Sequence, residues 1–221
     1  MATLNTLEQI PVTAMSKNEI PKHVLDAADI SAVTQLILLE RECRDLGRWQ
    51  RMHECFHPDS LIRLSWFTGN GADFVAGSID MARRGVLAKH RLGPVLVRLA
   101  GTRAVASLSA TIDIPAKIGD VEAQLSSHAR FIYRAERRAD AWKISGFDAI
   151  YVRDELVPTI PGQTLRVPIA ELSRFRTSYR MLSYVLSTQG YEVNTGLPGD
   201  DRPETVQTLE KEIFGWAGIQ P

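Results

Sequence analysis

What constrains this chain most is a run of long, β-rich segments between His90 and Arg153, separated by short turns. Val95–Leu99 leads through a turn at Gly101 into Ala104–Ile114. A turn holding Gly119 and Asp120 precedes Val121–Arg137, and Arg138, Ala139 and Asp140 join that segment to Ala141–Arg153. Gly-Asp pairs favour tight hairpins, so the segments predict antiparallel neighbours. Strands do not alternate with helices, which argues against a doubly wound parallel sheet.

Upstream the period is helical. From Ile30, the residues Val33, Leu36, Ile37, Glu40, Cys43 and Arg44 recur at three and four, with Gly47 as the stop and Asp29 or Ser31 as the cap. Trp49–Phe56 predicts a shorter second helix ended by Pro58, Leu61–Trp66 a strand ending at Gly69, and 72–84 a third helix closed by Gly85. After Pro158, Thr159–Pro168 reads as a linker. Ile169–Leu186 follows as a helix carrying Phe175, Tyr179, Leu182 and Val185, and Glu204–Trp216 as a last one. The division expected is an arm over 1–28, an α+β domain over 29–157, and an extension over 158–221 that wraps the core or a partner subunit.

A chain of 221 residues buries enough surface to fold without a metal or disulfide. Its formal net charge of zero lacks the basic excess of nucleic-acid binders, so no nucleic-acid partner is expected. Cys43 and Cys55 lack CxxC spacing and read as reduced thiols. No apolar run reaches the roughly 18–20 residues of a membrane span, and the first 25 residues carry no signal-peptide pattern. The expectation is a soluble, cytoplasmic protein with no membrane partner. Glycine-rich nucleotide loops and a GxSxG elbow are missing, which weighs against nicotinamide, nucleotide and serine-hydrolase chemistry.

Four local signals carry a resemblance. They are Glu40–Trp49 with its acidic residue before a Gly-x-Trp connector, Phe56–Asp59, Lys89–Gly93, and Arg130–Tyr133 followed by Ala141–Ile144. In this order, over about residues 30–155, they resemble the nuclear transport factor 2-like superfamily, in its SnoaL-like, scytalone dehydratase-like branch. The resemblance implies a cone-shaped curved antiparallel sheet whose N-terminal helices enclose one pocket. It also implies that Asp45 orients His90, which moves a proton; an imidazole titrating near neutrality beside a carboxylate suits that task. Arg130 and His128, two apart, share one side of their strand with Glu122, Gln124 and Ser126. That side is either the solvent face or, as in the dehydratase, a substrate-binding wall on which Arg130 would stabilise an oxyanion.

The family's second histidine has no counterpart here: Ala106, Leu108 and Ala110 occupy that stretch, implying a roomier, apolar pocket suited to an aromatic substrate. Trp66, Tyr151 and His53 complete the expected substrate contacts. His53 and His57 sit four apart near Asp59, but a third metal ligand is not evident, so neither metal nor cofactor is expected. The implied activity is a cofactor-independent lyase eliminating water or formaldehyde from a small aromatic, such as a lignin-derived phenolic. Bacterial enzymes that remove formaldehyde from diarylpropanes are similar in core. The alternatives are an isomerase or epoxide hydrolase, and a non-catalytic binding or assembly domain. Long strands with apolar residues on both sides further predict a homodimer built on the outer face of the sheet.

Overall fold

The structure is a computed structural model describing residues 20–220, so residues 1–19 of the expected arm lie outside it. The first helix, α1 (Lys22–Leu46), begins eight residues before Ile30. Pro21 precedes its first turn, where its carbonyl accepts from Val24 and Leu25 (3.0 and 3.3 Å) and its missing N–H costs nothing. Asp29, expected as the cap, lies inside the helix. Its carboxylate accepts from the Arg137 guanidinium (2.9 Å) and the Trp142 indole (2.8 Å), tying α1 to the far end of a hairpin.

Next come α2 (Trp49–Glu54), β1 (Phe56–Leu64), β2 (Phe67–Gly69) and α3 (Gly71–Arg83). The Asn70 side chain caps α3 by accepting from the Asp73 N–H at 2.9 Å. The remaining strands are β3 (Lys89–Leu92), β4 (Leu96–Ala100), β5 (Arg103–Ile118), β6 (Val121–Arg138) and β7 (Ala141–Pro158). They form one sheet in the order β2-β1-β7-β6-β5-β3, with β4 also on β5. Every pairing is antiparallel except β1 with β7. Positive φ at both Ala139 (49°) and Asp140 (61°) makes the β6–β7 connection a tight turn whose twist matches its strands.

The inner face of the sheet carries small and aromatic residues in alternation: Ala104, Ala106 and Ala110 on β5, then Leu125, Ala129, Phe131 and Tyr133 on β6. α1 and α3 pack against this face. The outer face buries Val105, Ile132 and Ile150 under α6 (Pro203–Ala217), through Val206, Leu209, Ile213 and Phe214. The physical need that motivated a dimer, cover for this face, is therefore met within the chain.

The segment expected as one helix over Ile169–Leu186 is broken into α4 (Ile169–Leu172), a 3-10 turn (Thr177–Tyr179) and α5 (Arg180–Thr188). Arg176 causes the break. Its backbone is extended, and its guanidinium pairs with Asp201 (2.5 and 3.2 Å) and with the Leu197 carbonyl. A few charge-assisted bonds outweigh the helix propensity of so short a stretch. Tyr179 packs against Tyr151 with ring centroids 4.5 Å apart and the rings tilted by 34°, and α5 buries Leu182, Val185 and Leu186 against the inner side. The extension thus wraps its own core. No helix among the described residues is long and apolar enough to cross a membrane.

Candidate active site

The apolar stripe of α1, Val33 and Ile37, continues at helical spacing into Glu40, Arg41 and Arg44, so three charged side chains are carried into the core. Glu40 is fully buried and Arg41 only 2% exposed. They form a forked pair, with Arg41 Nε donating to Glu40 at 2.5 Å and a second nitrogen donating to the other oxygen. The Tyr133 hydroxyl also donates to Glu40, at 3.4 Å. The Arg41 guanidinium lies over Phe147 (5.0 Å) and Phe74 (5.7 Å), which holds the cation away from water without leaving it unsupported.

Asp45 stands one turn further on, where Gly47 ends the helix in the left-handed conformation at φ 69°. A carboxylate at a helix C-terminus is disfavoured by the helix dipole. Two donors from one residue offset this: His90 Nδ1 at 2.6 Å and the His90 backbone N–H at 2.7 Å. The short strand β3 delivers His90 to that point by pairing it with Ile112 of β5, and the Lys89 ammonium donates to the Asp45 carbonyl.

With Nδ1–H committed to Asp45, Nε2 keeps its lone pair, and Arg41 Nη1 lies 3.5 Å from it. Burial pushes the imidazolium down. The Asp45 bond opposes this, but the Arg41 and Arg44 cations add to it, leaving the histidine at about 4. Burial works the other way on Asp45, yet its bonds to His90 and the Arg41 charge win, holding it below the usual carboxylate range. At neutral pH the pair is an ionised aspartate and a neutral histidine.

His90 lines a narrow cavity together with Arg41, Arg44, Trp66, Phe131 and Tyr151, and Leu182 and Leu186 of α5 contribute to its wall. The space is about 30 Å³, enough for about two waters. The Tyr151 hydroxyl accepts from the Ser65 N–H at 2.9 Å, and burial pushes its pKa up, so it stays a neutral phenol.

Of the residues singled out in the sequence, the structure brings Asp45, His90, Trp66 and Tyr151 together at this cavity. It does not bring Arg130, His128, Leu108 or His53 there. Arg130 and His128 alternate with the inward Ala129 and Phe131, so they point to the outer face. Arg130 pairs there with Asp200 (3.0 Å) and approaches Glu210 (3.9 Å), while His128 Nδ1 meets the Thr111 hydroxyl at 3.1 Å. Leu108 is buried in the main core but does not line the cavity, and His53 is exposed on α2. His57 faces the Glu136 carbonyl at 2.9 Å, and among the described residues no three His, Cys, Asp or Glu side chains gather as metal ligands.

Sequence reasoning missed Glu40, Arg41 and Arg44. The signal that would have found them is charge at positions that continue an apolar helical stripe, since a charge is carried inward only when something there answers it.

A curved sheet closed by helices over a buried Asp–His pair defines the cone-shaped class of α+β proteins with one interior pocket. Residues 26–148, more than half of the chain, match the SnoaL-like domain, and the chain belongs to that family. An uncharacterized protein of Emericella nidulans is 28% identical over 177 residues, spanning 76% of this chain and 74% of its own length. Pea pathogenicity protein 2 of Fusarium vanettenii is 28% identical over 173 residues, with the same two coverages of 76% and 74%. Among solved structures, a provisionally named scytalone dehydratase of Novosphingobium aromaticivorans superposes with TM-score 0.52 at 9% identity, covering 64% of this chain and 99% of that one. A type 2 hexachlorocyclohexane dehydrochlorinase, LinA, superposes with TM-score 0.51 at 15% identity, covering 66% and 97%. At these identities the likeness to the solved structures is one of fold.

Proposed function

We propose that this protein is a cofactor-independent lyase in which His90 and Asp45 drive an elimination from a small aromatic substrate. The observation that carries the reading is the 2.6 Å Asp45–His90 bond, which leaves Nε2 unprotonated on a histidine that lines a mostly apolar cavity. In a dehydration, Nε2 takes a proton from the carbon next to the one bearing the hydroxyl. The C–H electrons form the double bond, and the C–O bond breaks. The departing hydroxide takes the proton back from the imidazolium and leaves as water. Asp45 stabilises the transient imidazolium, and the Arg41 Nη1 beside Nε2 is placed to donate to the leaving oxygen. Loss of formaldehyde needs the same base on the hydroxymethyl O–H: the O–H electrons become the C=O of formaldehyde, the C–C bond breaks, and its electron pair is taken up by the quinone methide formed when a para-phenol has expelled its benzylic hydroxyl as water.

The cavity's Trp66, Phe131 and Tyr151 support an aromatic substrate, and the names of two fold neighbours, dehydratase and dehydrochlorinase, support elimination. Contact between Asp45 and His90 weighs against a passive binding domain, which has no use for a base held in one tautomer. The test is to present purified protein with a panel of hydroxylated aromatics and follow the ultraviolet absorbance of a conjugated product. New absorbance that His90→Ala abolishes is expected; a folded His90→Ala protein with near-normal turnover overturns the assignment.

A further inference from the structure

Four arginines are buried in the described structure: Arg41, Arg44, Arg134 and Arg176. Three of them have carboxylates: Glu40 for Arg41, Asp148 for Arg134 and Asp201 for Arg176. Arg44, 7% exposed and on the cavity wall, has none within ion-pairing distance among the described residues. Its Nη2 donates to the Met81 thioether at 3.4 Å, a weak acceptor, and the guanidinium otherwise lies near the rings of Trp66 (5.7 Å) and Phe74 (6.0 Å). The two nearest carboxylates on its helix are already engaged, Glu40 by Arg41 and Asp45 by His90. Burial and the neighbouring Arg41 cation push Arg44 down to about 10, so its charge is held at a cost that an arriving anion would relieve.

We infer that Arg44 is the anchor for a carboxylate on the substrate, and that the cavity takes small aromatic acids. This rests on the reading of the cavity as the substrate site. The carboxylate seats on the guanidinium fork, the ring lies against Trp66 and Phe131, and the far end of the molecule reaches His90. The uncommitted cation acts as a selection device: a neutral analogue leaves it unanswered, whereas an acid satisfies it.

Calorimetric titration with benzoate, phenylacetate and cinnamate, each beside its primary amide, tests this without requiring turnover. Each acid is expected to bind at least about 10-fold more tightly than its amide. Arg44→Met should weaken the acids about 10- to 100-fold, the range of a hydrogen bond to a charged group, and leave the amides unchanged. The same variant should keep or raise the melting temperature, because it removes a buried cation that has no carboxylate. Arg44→Lys should retain part of the preference. Equal binding of acids and amides by the unaltered protein overturns the inference. So does the failure of every acid to bind at millimolar concentration, or undiminished acid binding by Arg44→Met. Should Arg44→Met not fold, the acid–amide comparison on the unaltered protein still decides. Acid preference without turnover of any aromatic would break the lyase reading alone; turnover without acid preference would break only this inference.

Discussion

The two faces of β6 use charge in opposite ways. Outward, His128, Arg130 and Arg134 meet a surface rich in carboxylates: Arg130 pairs with Asp200, and Arg134 and Arg63 share Asp148 and Glu212. Inward, Ala129, Phe131 and Tyr133 face a nearly dry space in which the ionisable groups are few. There each carboxylate is spoken for and one guanidinium is not. A row of charges along a strand here is a neutralised surface, whereas the charges on the apolar stripe of α1 are buried beside the cavity. In low dielectric an unmatched charge is expensive, which is why Arg44 stands out from the other buried arginines.

The sharpest test of this contrast is mutation on either face. His90→Ala and Asp45→Asn should each lower turnover about 10²-fold or more, while Arg130→Met stays within about 2-fold. If the pair acts as a unit, the double variant should be little worse than the worse single one. An Arg130→Met defect as deep as that of His90→Ala would break the comparison outright.

On the outer face the large effect should be on stability. Asp148 is buried between Arg63 (2.5 Å) and Arg134 (3.4 Å), and Asp148→Ala leaves the buried Arg134 with only the more exposed Glu212 at 3.4 Å. A loss of about 3–5 kcal/mol is expected by urea unfolding, with kcat of the folded fraction unchanged. A parallel loss of kcat would show that the two faces are coupled.

Acid should separate the faces further. His90 accepts a proton only near pH 4 when folded, but near 6.5 when unfolded. Between those values the unfolded chain binds more protons, so this contribution to stability is lost as pH falls through the window. For activity, kcat/KM should be flat from about pH 5 to 8 and fall tenfold per unit below about 4. An inflection near 6.5 would mean that His90 is solvated and the cavity open. The neighbouring Asp45 charge alone would raise the histidine, as its place beside a carboxylate suggests from the sequence; burial and two guanidiniums reverse that sign.

The smallest effect concerns α5, which lines part of the cavity. Asp154 accepts from the Leu182 N–H at 2.8 Å, and burial pushes its carboxyl up to about 6. The folded state binds the extra proton between the unfolded value and 6, so its contribution is greatest in acid and is lost as pH rises through 6. Asp154→Asn should raise the melting temperature by a few degrees at pH 8 and leave it unchanged at pH 4. A rise equal at both values would point to packing rather than ionisation.

Much of the fold could be read in advance because it is written locally. Helix periods, the Gly119-Asp120 and Ala139-Asp140 turns and the long apolar alternation need only neighbours in sequence to be recognised. Asp45 and His90 could also be singled out, through the resemblance of the short segments around them. The face taken by Arg130 and His128 stays open in the sequence, because period-2 alternation says that they share a side and not which side is inward. The C-terminal segment was read as one helix because the charge that breaks it, Asp201, lies 25 residues from Arg176 in the chain.

The sequence by itself determined the α+β class, the order of elements and the alternation of each strand, all of which depend on spacing within short windows, and the resemblance of short segments pointed to Asp45 and His90. Only the tertiary structure decided which face of β6 lines the cavity, that α6 covers the other face, that α5 adds two leucines to the cavity wall, and that Arg41 and Arg44 rather than Arg130 stand beside it. The physical reason is that burial is a property of the assembled molecule. Whether a guanidinium is a solvated surface group or a binding element depends on the carboxylates that folding brings, or fails to bring, within reach of it.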